Sequence, residues 1–112
     1  MTAQASLSLQ GDTLVLAGVL DHESVLSLEA QGATWLADTA PATCYADLTQ
    51  VSYSSSAGIA LLLSWLRHAQ QQHKTLRLRP LPTKLAGLVR LSGLDEVFGP
   101  LIAEAKAPPA KA

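Results

Sequence analysis

The chain has 112 residues, of which 48% are hydrophobic and 15% charged, and a formal net charge of −1. That length and apolar content suit one folded domain whose core needs neither disulfides nor metals, and they exclude a disordered chain. The near-neutral charge leaves no electrostatic footprint for nucleic acid.

The N-terminal MTAQASLSLQ has neither the basic segment nor the continuous apolar run of a signal peptide. Residues 6–9 alternate polar and apolar, and residues 13–17 are apolar and β-prone, with Gly11 and Asp12 between them. This predicts two antiparallel strands joined by a tight turn, broken off at Gly18. Asp21 reads as a helix N-cap with Ser24 at the capping-box position. Val25, Leu28, Gly32, Trp35 and Leu36 then recur at helical spacing up to Pro41. Gly32 weakens that helix unless it permits close packing.

Residues 43–48 read as a strand buried inside a sheet. VSYSSSAGIALLL follows, three serines running through an Ala-Gly pair into an apolar helical pattern over about 56–72. Ile59, Leu62, Leu63, Leu66 and Ala69 mark its buried face. Residues 75–79 alternate, with Leu76 and Leu78 opposite Arg77 and Arg79, and Pro80 and Pro82 close the strand. Thr83 is placed to cap a third helix bearing Leu85, Leu88 and Val89. Leu94, Val97, Phe98 and Leu101 complete the core. The expectation is an α/β domain over residues 1–102, a mixed sheet with helices packed mainly on one side. A small, proline-containing tail over residues 103–112 is expected to be flexible.

The chemistry is spare. Ser56 precedes Ala57-Gly58, but residue 54 is serine where a nucleophile elbow needs glycine. His68 lies about 18 Å along the helix that Ser56 starts, too far to serve it as a base. His22, His68, His73 and Cys44 show no metal-ligand spacing, and the histidines read as solvated surface residues. Cys44, the one cysteine, reads as a small core hydrophobe; it allows no internal disulfide, which fits a reducing compartment. No phosphate-binding glycine motif is present. Arg77/Arg79 and Lys84/Arg90 read as solvated faces, Trp35 and Trp65 as core. The longest apolar run, residues 59–63, is far short of the ~20 residues that span a bilayer. These features predict a non-enzymatic cytoplasmic protein with no cofactor and no metal. The distinctive feature is the turn at Ser54, Ser55 and Ser56, where a strand hands over to a helix and leaves free N–H groups at the surface.

The element order and this serine turn resemble the STAS domain family, over residues 7–101. Ala17-Gly18-Val19-Leu20-Asp21 looks like the family's Gly-x-Leu-Asp entry to the first helix. Asp47-Leu48-Thr49-Gln50-Val51 looks like its Asp-Leu-Ser-x-Val strand end. Ser55-Ser56-Ala57-Gly58-Ile59 falls on its Asp-Ser/Thr-x-Gly-Leu signature, and Leu91-Ser92-Gly93-Leu94-Asp95-Glu96-Val97-Phe98 on its closing segment. Anti-anti-sigma factors of this family carry aspartate before a phosphorylated serine. Here that place is Ser55, and Ser56 falls on the phospho-acceptor position. The chain looks more like the STAS subunit (MlaB-like) of Mla-type phospholipid-transport ABC complexes. That resemblance implies binding to the cytoplasmic ATPase subunit, support of its assembly and activity, and membrane association only through the complex. The alternative is an anti-sigma factor antagonist regulated by serine phosphorylation. The expected partner-binding residues are Ser54, Ser55, Ser56, Ala57 and Gly58, with Ala57 and Gly58 small enough to let a partner approach the backbone.

Overall fold

Apolar-polar alternation at the start of the chain folds as a hairpin. β1 (Ser6–Gln10) pairs antiparallel with β2 (Thr13–Leu20), and Gln10 faces Thr13 across Gly11 and Asp12. Gly11 has φ +64 at the first central position of this two-residue turn, the place where type II′ hairpins use glycine. A computed structural model describes residues 5–102, so the expected flexible tail at 103–112 lies outside the described residues.

After the hairpin, strands and helices alternate. α1 (His22–Asp38), β3 (Thr43–Ser54), α2 (Ser56–Gln71), β4 (Thr75–Leu78), α3 (Thr83–Leu91) and α4 (Asp95–Phe98) follow, with a 3-10 turn at Gly99–Leu101. The sheet order is β1-β2-β3-β4, and β2–β3 and β3–β4 are parallel. Two successive crossovers that step the same way across a sheet, each right-handed, put their helices on the same face. α1 and α2 therefore lie side by side and run in the same direction. Beneath them Leu14, Leu16, Cys44, Ala46, Leu48, Leu76 and Leu78 form the buried face of the sheet. Phe98 of α4 is fully buried in the same core, while Val97 is exposed.

Three expectations are corrected. β2 does not break at Gly18 but runs on to Leu20, and β3 runs past Leu48 to Ser54. The two strands shift register between Val15 and Ala17 and again between Gly18 and Val19. Gly18 absorbs the second bulge with φ +93, and its carbonyl accepts the Ser52 hydroxyl at 3.2 Å. Bulges break the period of two, so the sequence pattern dissolves where the pairing continues. Thr83 does not cap α3: Pro82 occupies the N-cap position without a side-chain hydrogen bond, and Thr83 is the first helical residue.

The contact between α1 and α2 is close because Gly32 has no side chain. A Cβ there would fall on the indole of Trp65, which is fully buried. The Trp65 indole N–H donates to the Glu29 carbonyl at 3.2 Å. Lys74 Nζ donates to the Leu36 carbonyl at 2.7 Å near the other end of α1, where a cation complements the helix dipole. Gly32→Ala gains about 1 kcal/mol of helix propensity and loses about 1–3 kcal/mol to overpacking. Because Trp65 has no space to retreat into, a lower thermal midpoint is expected in unfolding monitored by circular dichroism. A midpoint unchanged or raised would show that the helices part without cost.

Candidate functional site

Parallel pairing brings the starts of two helices together. Leu20, the last residue of β2, sits opposite Ser54, the last of β3. Each strand then turns at once into a helix, α1 after Asp21 and α2 after Ser55. The Ser55 N–H donates to the Leu20 carbonyl at 3.0 Å, which extends the ladder into the turn and fixes the two helix N-termini side by side.

Each N-terminus is capped. Asp21 Oδ1 accepts from Ser24 N at 2.9 Å and Glu23 N at 3.1 Å, and Ser24 Oγ accepts from Asp21 N at 2.9 Å, completing the predicted capping box. These donors hold the Asp21 carboxyl below its usual range. On α2 the cap is Ser55, whose hydroxyl accepts from Ala57 N at 3.1 Å. Ser56 is the first helical residue, and it is exposed. Its hydroxyl takes no part in the cap.

Ser54 and Gly58 pack against one another. A side chain at residue 58 would fall on Ser54 Oγ and press on Leu20. The missing side chain of Gly58 therefore serves packing inside the domain rather than close approach from outside. Ala57 is also buried, but it lines a groove of about 440 Å³ between α1 and α2. Ser56 stands at the same groove, with Val25, Leu26 and Ala60 along its walls. Leu26 is 74% exposed and Tyr53, just before the serines, 58% exposed. Large apolar side chains left in water beside a concave surface are common features of interaction sites.

Glu29 closes the inner part of this groove. Its Oε2 accepts the Ser64 hydroxyl at 2.7 Å and meets His68 Nε2 at 2.9 Å. Those two partners, Ser64 first, hold the Glu29 carboxyl below its usual range against a smaller opposing effect of burial. His68 is thus part of the α1–α2 contact and not the free surface histidine its sequence position suggests. Cys44 is fully buried, and desolvation pushes its thiol pKa up, as suits a core side chain.

The arrangement is suited to recognition. His22 lines the groove with Ser56, a proximity the sequence does not reveal, but among the described residues no hydrogen bond joins them and none holds the imidazole as a base. Among the described residues no group of three His, Cys, Asp or Glu could hold a metal, and no helix is long and apolar enough to cross a membrane.

A family model described as "Mlab, STAS domain" matches residues 3–103. The chain belongs to the STAS domain family. No curated protein matches it. Among solved structures it is similar to the anti-sigma factor antagonist SpoIIAA in its unphosphorylated form, at 24% identity and TM-score 0.70 over 91% of this chain and 88% of that one. An anti-sigma factor antagonist from Mycobacterium paratuberculosis is 19% identical, with TM-score 0.67 over 87% of this chain and 83% of that chain. A STAS domain protein from Planctomyces limnophilus is 15% identical, with TM-score 0.67 over 95% and 93%. At these identities the likeness concerns the fold. The expected α/β architecture with a mixed sheet is the STAS architecture.

In this STAS domain the serine turn joins β3 to α2, and the groove beside it is not legible in the sequence. One signal was available: Leu26 lies off the apolar stripe of Val25, Leu28, Gly32 and Trp35, so a helix buried by that stripe must expose it. The Glu29–Ser64–His68 contact joins two helices distant in sequence and leaves no local pattern. Because the Glu29 pKa is lowered on folding, its contribution to stability is full above the unfolded carboxyl value of about 4.3. It is lost as pH falls through the lower folded value. The difference in thermal midpoint between the parent and Glu29→Gln is therefore expected to shrink as pH drops from neutral to below that window. A difference independent of pH would show that the carboxylate charge contributes nothing.

Proposed function

We propose that this STAS domain is a non-catalytic subunit of a phospholipid-transport ABC complex of the Mla type, acting in maintenance of outer-membrane lipid asymmetry. In this reading it binds the cytoplasmic ATPase subunit and supports its assembly and activity, and it reaches the inner membrane only through the complex. The observation that carries the reading is the site itself: an exposed serine beside an apolar groove, a surface suited to docking a protein segment. The description of the matching family model supports the Mla-type reading.

A second reading is an anti-sigma factor antagonist switched by phosphorylation. One observation favours it: the Ser56 hydroxyl is exposed and free of the cap, which Ser55 supplies. The serine at residue 55, where the family's phosphorylated members carry aspartate, supports the transport reading instead.

The partner surface in this proposal takes in Ser54 to Gly58, with Ser56 at its centre and Ser54 and Gly58 shaping the turn from within. Ser56→Asp adds a negative charge at a helix N-terminus, worth up to about 1 kcal/mol in favour of the fold. The same carboxylate must be desolvated at an interface fitted to a small hydroxyl. Ser56→Asp is therefore expected to bind the ATPase subunit about tenfold or more weakly while its melting temperature stays within a few degrees of the parent. Ser56→Ala should do less. Co-purification and thermal unfolding of both variants measure this. Binding of Ser56→Asp equal to the parent would place the interface elsewhere. Capture of an anti-sigma factor kinase in place of the ATPase would establish the second reading.

A further inference from the structure

β1 is the outermost strand of the sheet. Among the described residues it pairs only with β2, so one row of its backbone N–H and C=O groups has no strand beside it. An uncovered row of this kind is a template for a further strand, and proteins that keep such an edge to themselves place a lysine, a proline or a bulge on it. β1 reads Ser-Leu-Ser-Leu-Gln, with no charge and no proline, and its pairing with β2 is regular over all five residues. The opposite edge differs, since Leu78 of β4 is bridged to Ile102.

The register shows which way each side chain of β1 points. Leu7 lies opposite Leu16 and Leu9 opposite Leu14, two side chains of the core. Leu7 and Leu9 therefore point to the helix side of the sheet, and Ser6, Ser8 and Gln10 to its other face. Leu7 packs against the core, whereas Leu9 is 53% exposed. What fits this edge is an extended backbone that brings an apolar side chain beside Leu9. It must also alternate with β1, because a slip of one residue sets apolar against polar on both faces.

A second copy of β1 meets both conditions. Turned about a two-fold axis through Ser8, it runs antiparallel to the first, and all five residues find a partner. Leu7 of each copy faces Leu9 of the other, Ser8 faces Ser8, and Ser6 faces Gln10. Apolar and hydroxyl pairs across two strands are each favourable, and neither strand brings a charge that must be desolvated.

We infer that the chain forms a two-fold dimer in which β1 pairs with β1 of a second copy, joining two four-stranded sheets into one. Five residues a side fall well below the ~20–30 of a standard interface, so a dissociation constant on the order of 100 μM is expected. Glu23 borders β1, and α1 carries Glu23, Glu29 and Asp38 with neither lysine nor arginine. The two copies repel one another through these carboxylates, and salt that screens the repulsion strengthens the dimer. The contact leaves the serine turn and the groove free, so its test needs no ATPase subunit.

The test is sedimentation equilibrium of the full-length chain over a wide range of concentration around that value, at low and high salt, beside Ser8→Lys, Ser8→Glu and their equimolar mixture. Ser8 is exposed, so both variants are expected to fold, and thermal unfolding checks this. Like charges facing one another across the axis are expected to weaken association of either variant alone about tenfold or more. The mixture, in which opposite charges meet, is expected to recover it. Leu9→Thr, on the other face and without a charge, should weaken the dimer several-fold, and it decides the matter if the Ser8 variants unfold. A parent that stays monomeric throughout overturns the inference and leaves the edge to a strand of another protein. A dimer that all three variants leave unchanged, or a mixture no tighter than its components, places the contact elsewhere and overturns it equally.

Discussion

Trp65 occupies the space that a side chain at residue 32 would need, and the geometry of the groove beside the serine turn follows from that exchange. With Gly32 beneath the indole, α1 and α2 approach closely at their middles. Toward their N-termini small residues, Ala57 and Ala60, face larger ones, Val25 and Leu26, and the helices leave a groove between them. The Glu29 carbonyl takes the indole N–H while its carboxylate takes Ser64 and His68. One residue of α1 thus holds α2 by both its backbone and its side chain. A larger residue at position 32 would wedge the helices apart and change the groove at a distance.

The sheet supplies the other half of the arrangement. Parallel pairing of β2 with β3 requires that their C-terminal ends lie together, so the helices that follow must begin together. Ser55 bonded to Leu20 makes that junction tight. Two capped helix N-termini lie side by side there, with the Asp21 carboxylate answering the positive end of α1, next to apolar side chains in water. An exposed hydroxyl at that point can be read by a partner without disturbing the fold, because the cap belongs to its neighbour.

Much of this was legible in the sequence where the cause is local. Asp21 and Ser24 announce a capping box, and α1 and α2 announce themselves by apolar stripes at helical spacing. The alternation in residues 75–79 gives β4 and both of its faces. The second half of β3 was hidden because the register shifts in its pairing with β2 break the alternation of apolar and polar residues there. The serine turn was visible as the hand-over from strand to helix, but its internal division of labour was not. Which hydroxyl caps depends on where the last ladder hydrogen bond falls, and the bulges that decide this leave no regular pattern. The groove and its carboxylate come from packing between residues 35 or more positions apart, which no local pattern encodes.

The lone thiol in the middle of the molecule has a practical meaning. Cys44 lies on β3, a strand paired on both sides, with no exposed surface and its Sγ against the Thr75 carbonyl at 3.6 Å. A thiol reagent can reach it only when the helix layer lifts from the sheet, which makes labelling a native gauge of how often the core opens. Ligands that clasp α1 to α2 would slow that reaction even though they bind on the helices and never touch the sulfur.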